Sequence, residues 1–193
     1  MEGSLSLPAG VRMTDPSSPD LVVCAQRGDE IAIGALYDMH YQAVFRYFQA
    51  RVGHHQVAED LTGELFRRML TGLPQYRAIG LPFRAWLFRI AHNLLVDHYR
   101  QESGPMLVSL EQTEEQLVSE DDPAFAAEHK LTLTQAYRAL AELDLLQREV
   151  LSLRFLSGLS LRETAIALNK TEDAVKALQR RGLMALRLTL AGE

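Results

Sequence analysis

The chain holds one cysteine in 193 residues, Cys24, so neither an internal disulfide framework nor a CxxC zinc or redox pair can be built from it. No apolar run approaches the ~20 residues that a membrane-spanning helix needs. The opening Met1-Glu2-Gly3-Ser4 lacks the basic start and apolar stretch of a secretory signal. A cytoplasmic chain with no membrane insertion is therefore expected. Strand-type alternation of Val, Ile and Thr is missing throughout. So are a Gly-rich phosphate loop, a nucleophile elbow and an HExxH zinc motif, which argues against the common enzyme classes. No catalytic residue, metal site or cofactor is expected.

A net charge of −5 looks wrong for a nucleic-acid binder until it is divided along the chain. Residues 20–100 carry nine basic and eight acidic side chains, and residues 131–193 carry nine and seven. The acidity lies between them: residues 101–130 hold one Lys against eight acids. That stretch contains Gly104, Pro105 and Pro123 and little periodicity, so it reads as a flexible acidic linker. Its charge could also imitate a nucleic-acid strand in a basic channel. Residues 1–19, with Pro8, Gly10, Pro16, Pro19 and several Ser, read as a disordered extension, and Met13 is an alternative start.

What remains is helical in period. Asp29 is placed to cap a helix carrying Ile33, Leu36, Tyr37, His40, Val44, Tyr47 and Phe48 at spacings of three and four. A second helix is predicted over about 56–70, with Ala58, Leu61, Leu65 and Met69 on one face. A Gly/Pro loop, 71–82, follows, and Pro82 suits the first turn of a third helix over about 83–101. Beyond the linker, Leu133, Tyr137, Leu140 and Leu143 mark another helix, and Asp144 caps the next, which ends at Gly158. The fold class is all-α, in two small helical domains, 20–100 and 131–193.

Residues 161–181 have the form of a helix-turn-helix. Ser160 caps the first helix, small Ala165 suits a close crossing, and Asn169 stands where the turn asks for a positive φ. Thr171 caps the second helix, which buries Val175, Leu178 and Leu186. Its other face carries Lys176, Arg180, Arg181 and Arg187, and no acid follows Asp173 until Glu193. Such a face suits a major groove, with Arg on guanine edges or phosphates. It would equally serve as the solvated side of an ordinary helical hairpin, and Glu172 and Asp173 sit where phosphates would approach.

Three N-terminal stretches are more specific than periodicity: Val57-Ala58-Glu59-Asp60-Leu61-Thr62-Gly63-Glu64-Leu65-Phe66, Phe83-Arg84-Ala85-Trp86-Leu87-Phe88-Arg89-Ile90-Ala91-His92-Asn93-Leu94 and Val96-Asp97-His98-Tyr99-Arg100. Followed by Gln147-Arg148-Glu149-Val150-Leu151 and the helix-turn-helix, they closely resemble the extracytoplasmic-function (ECF, group IV) sigma factors of bacterial RNA polymerase. The resemblance covers roughly 20–100 as region 2 and 131–190 as region 4. It implies that Asp60, Gly63 and Glu64 lie on the helix that docks on the beta-prime coiled coil of core polymerase. The family usually has Gln where this chain has Gly63, which removes a contact. It further implies that Arg89, His92, Asn93 and Arg100 meet the promoter's −10 element. Tyr76 and Arg77 of the preceding loop would serve a flipped-out base, and Trp86 would be a core residue or a base wedge. In region 4, Lys176, Gln179, Arg180 and Arg181 would contact the −35 element, and Gly182, where Ala is usual, would loosen that helix. Core polymerase (with its beta flap on region 4), promoter DNA and an anti-sigma protein are the implied partners.

Other readings compete with this one. His55 and Glu59 stand one helical turn apart beside His54, but a third metal ligand is lacking. Cys24 reads as a small buried hydrophobe rather than a redox sensor. The main alternative function is a helix-turn-helix regulator that binds its operator without polymerase.

Overall fold

The computed structural model describes residues 19–101 and 135–191. Residues 1–18 of the expected extension with the alternative start at Met13, residues 102–130 of the acidic linker, and Leu133 lie outside the described residues, while Pro19 opens the first helix and Gln101 ends the fourth. Among the described residues every regular element is helical. The first unit comprises α1 (Pro19–Gln26), α2 (Glu30–Val52), α3 (His55–Gly72), a 3-10 turn (Leu73–Gln75) and α4 (Phe83–Gln101). The second comprises α5 (135–141), α6 (Leu145–Leu151), a π turn (Ser152–Leu156), α7 (Leu161–Ala167) and α8 (Glu172–Ala191).

Local chemistry sets the helix ends. Asp29 Oδ1 accepts the Ile31 and Ala32 amides at 2.9 and 3.2 Å, and α2 stops at Gly53, whose φ of 69° only glycine adopts without strain. Asp144 repeats the cap on α6, accepting from Leu146 and Gln147. Gln26 of α1 donates to the carbonyls of Leu73 and Tyr76 at 2.9 and 2.8 Å, tying α1 to the segment after α3.

The final turns of α2 are buried on every side, from Tyr47 through Val52. A helix covered all round is central rather than amphipathic. One side meets α3 and α4, and the other meets the π turn. Ala50 also joins a cluster with Tyr137, Leu140, Leu143 and Leu151. The larger cluster runs unbroken from Leu36, Phe48, Leu65 and Phe88 into Val150, Leu153, Leu159 and Val175. The two units therefore share one apolar core. Each large side chain buried there contributes roughly 1.5–3 kcal/mol.

Two glycines inside helices differ in consequence. Around Gly63 a Cβ would meet nothing within 4 Å, so Gly63→Ala should raise stability by about 1 kcal/mol through helix propensity. Gly182 was expected to loosen α8, but it is a contact point. A Cβ there would lie 2.9 Å from Leu151 Cδ1 and 3.2 Å from its Cγ, and Leu151 is buried. Overpacking costs about 1–3 kcal/mol, enough to cancel the propensity gain. Gly182→Ala should therefore give no stabilisation. Paired urea titrations check both, and equal gains would refute the contact argument.

Candidate nucleic-acid and polymerase interfaces

The helix-turn-helix is built by a run of local hydrogen bonds. Ser160 and Glu163 form a capping box: Ser160 Oγ accepts the Glu163 amide at 3.1 Å, and Glu163 Oε2 accepts the Ser160 amide at 2.7 Å. Asn169 takes φ 51°, and the next amide, Lys170, donates back to the Ala165 carbonyl at 2.8 Å, closing the turn. Thr171 Oγ1 accepts the Ala174 amide at 3.2 Å and opens α8. Val175 and Leu178 are buried, so the opposite face of α8 is presented outward by geometry.

Lys176, Arg180 and Arg181 all stand exposed on that face. Lys176 Nζ pairs with Asp173 at 3.2 Å, and Arg181 Nε makes only a long 3.4 Å bond to the Ala177 carbonyl. Gln179 is half-buried, its amide oxygen held by Arg154 Nε at 3.0 Å, so it is less available than the three cations. Behind this motif, Leu140, Leu151, Phe155, Leu156, Leu183 and Leu186 line an apolar groove of about 350 Å³. Phe155 is 57% exposed there.

On α3, Asp60 is exposed and accepts weakly from Gln56 at 3.5 Å. Glu64 is already engaged. Arg67 contacts it at 2.6 and 2.7 Å and Arg68 at 2.8 Å, and these hydrogen bonds hold its carboxyl at about 2. Arg68 also reaches Asp97 of α4 at 3.6 Å. Gly63 lies exposed between the two acids.

The α4 residues are divided by the fold. Asn93 and Arg100 are exposed and Arg89 is half-buried. Trp86 packs on Tyr76 and Phe83 with ring centroids 5.0 and 5.5 Å apart, which is the core alternative for this residue. Tyr76 departs from expectation. Its ring is 7% exposed beneath Phe83 and Trp86, and its hydroxyl donates to the Leu81 carbonyl at 2.6 Å. An aromatic ring beside two others gains more from burial than from facing water, so the loop keeps Tyr76 as an anchor. Arg77 is exposed, and so is Ile79, at 91%. The expected pairing of His92 with DNA also changes, because His92 is half-buried against α6.

There the structure reveals a group that sequence reasoning missed. Glu149, 4% exposed, accepts from His92 Nδ1 at 2.5 Å and from the Tyr47 hydroxyl at 3.0 Å. Burial alone would raise its pKa. The His92 bond, the Arg51 charge and the Tyr47 bond outweigh that and hold it below its ordinary 4.5. A carboxylate so held stabilises the fold above pH 4.5, and that contribution is withdrawn as pH falls through the lowered value. An acid inside the run Glu149-Val150-Leu151 was the available signal, but its partners lie 57 and 102 residues away. His55 Nδ1 and Glu59 stand 3.6 Å apart, and no group of three or more metal-ligating side chains is present among the described residues. Cys24 is half-buried. No helix is long and apolar enough to cross a membrane among the described residues.

Comparison with known proteins gives the same two units in the same order. The family model for Sigma-70 region 2 matches residues 36–104, and that for Sigma-70, region 4 matches 139–188. The ECF RNA polymerase sigma factor BldN of Streptomyces coelicolor is 37% identical over 167 residues, covering 86% of this chain. The chain spans 63% of BldN's own length. The ECF RNA polymerase sigma factor SigD of Mycobacterium bovis is 34% identical over 173 residues, covering 87% of this chain and 82% of SigD. Among solved structures, CnrH in complex with the cytosolic domain of CnrY superposes with a TM-score of 0.71 at 25% identity, covering 93% of this chain and 99% of CnrH. An all-helical pair of units, a capped helix-turn-helix and this degree of identity place the chain in the family of ECF RNA polymerase sigma factors.

Proposed function

We propose that the chain is an alternative sigma factor that docks on core RNA polymerase in the cytoplasm and directs promoter-specific initiation by reading the −35 and −10 elements. The observation that carries this is α8: its apolar stripe is buried while Lys176, Arg180 and Arg181 stand exposed on a helix aimed by a rigid capped turn. α4 offers Arg89, Asn93 and Arg100 to the −10 element, and the loop before it offers Arg77 and Ile79 in place of Tyr76. Asp60, Gly63 and Glu64 face the beta-prime coiled coil, and the apolar groove beside α8 suits the beta flap. The chain's part is addressing, not catalysis. Its small contact sets bind DNA poorly alone at physiological salt. Polymerase fixes their spacing and makes the second contact effectively intramolecular. CnrH was solved with a second protein on it, and an anti-sigma protein clamping or wedging the two units is the corresponding regulator for this chain.

Mixing the chain with core polymerase and a promoter should give a transcript from one start site. Sequence-specific duplex binding with no transcript would favour the polymerase-independent regulator. Asp60→Ala should weaken core docking while leaving −35 duplex binding unchanged, because Asp60 is exposed on α3 and makes only a weak internal bond. Titration of labelled chain against core polymerase, beside a duplex-binding assay, checks this. Equal loss in both would mean that α3 is not the docking helix.

A further inference from the structure

The face of α4 that carries His92 is turned onto the second unit. Four α2 or α4 side chains reach across, those of Tyr47, Arg51, Arg84 and His92. His92 and the Tyr47 hydroxyl both end on Glu149 Oε1, at 2.5 and 3.0 Å, and Arg84 donates to the Ser157 carbonyl at 2.6 Å. Arg51 donates to the Leu145 carbonyl at 3.2 Å, and a returning contact comes from Ser157 Oγ, which donates to the Ala43 carbonyl at 3.1 Å. Glu149 is at the centre, and it is the only charge among these groups that region 4 contributes. With Glu149 ionised and accepting, His92 Nδ1 must carry the hydrogen it donates. A DNA strand cannot take that hydrogen while Glu149 holds it.

We propose that Glu149 is a latch: it holds the unbound chain closed, region 4 against the His92 face of α4, and its release exposes that face for promoter DNA. This rests on the reading of α4 as the −10 helix, and it goes further by naming the internal group that competes with DNA. The apolar part of the interface is non-directional and can be re-covered by any apolar partner. The carboxylate is different, because a buried charge is tolerated only while its specific partners stay in place. Closing and opening are therefore keyed to one residue that belongs to neither DNA-contacting set. A closed population lowers apparent DNA affinity by the fraction of chain that is open, so removing the latch raises that affinity without any new contact.

The test compares the full chain with Glu149→Gln, which keeps shape and removes charge, and with Tyr47→Phe, which removes one hydrogen bond and keeps the ring. Circular dichroism and melting first establish that each remains helical. Small-angle scattering should then show a larger radius of gyration for Glu149→Gln and a smaller increase for Tyr47→Phe. Binding of a labelled −10 single strand by the unbound chain should tighten by about tenfold in Glu149→Gln. A helical Glu149→Gln chain with unchanged scattering would overturn the latch, and so would a Tyr47→Phe chain as compact as the parent if Glu149→Gln fails to fold. Opening without tighter −10 binding would overturn the exposure of a DNA face. It would count against α4 as the −10 helix and leave the transcription assay to judge the broader function.

Discussion

Replacing Arg148 with methionine should cost about 2–4 kcal/mol of stability and weaken polymerase binding with it. Arg148 is 6% exposed, yet it carries a guanidinium. That group donates to the carbonyls of Leu140 at 2.9 Å, Ala141, and Leu143 at 3.4 Å. The first two of these carbonyls close α5 and the third lies just past it, and the last carbonyls of a helix have no partner within it. Arg148 thus caps α5 from the next helix. Burial, and then the neighbouring Arg51 charge, push its pKa down, so the charge is held at a cost. Methionine keeps most of the volume and removes that cost, but leaves up to two carbonyls, those of Ala141 and Leu143, unpartnered at about 1–3 kcal/mol each, while the Leu140 carbonyl keeps the Leu143 amide at 3.2 Å. The loss wins. Because Leu140 lines the groove, the same change should loosen the proposed flap site. Chemical denaturation followed by circular dichroism measures the first effect. A loss below about 1 kcal/mol would mean that water replaces the guanidinium.

Arg181→Ala should reduce promoter use by roughly 10- to 100-fold, equivalent to about 1–3 kcal/mol, and relax preference at one −35 position. Arg181 is exposed, and its internal bond is long, so little stability should be lost. Lys176 is the contrasting case. It already pairs with Asp173, so Lys176→Ala removes a partly neutralised charge and should act more weakly and alike on all sequences. Transcription from a panel of −35 variants, with melting temperature measured alongside, separates the two. Uniform loss across the panel for Arg181→Ala would reassign it from base to phosphate.

The caps at Asp29, Asp144, Ser160 and Thr171, and the positive φ at Asn169, were legible because each is settled within about four residues. The outward face of α8 followed from its period, because burying Val175 and Leu178 fixes where Lys176 and Arg180 point. Tyr76 turns inward from its loop, and nothing local foretells it, because a loop's composition does not say whether its aromatic faces water or the core. The role of Arg148 was hidden because helix-end carbonyls do not announce which side chain will meet them.

The long helices after Asp29, their caps and the basic face of the last one are written in the sequence, since they follow from interactions among near neighbours in the chain, whereas α1 over Pro19–Gln26 is not. Which faces stay uncovered is settled by packing alone. Gly63 and Gly182 look alike in the sequence, yet one has open space around it and the other lies against Leu151. His92 was expected to point at DNA, yet it is bonded to a carboxylate 57 residues away. Pairings across such separations depend on how whole helices pack, and no local pattern encodes that packing.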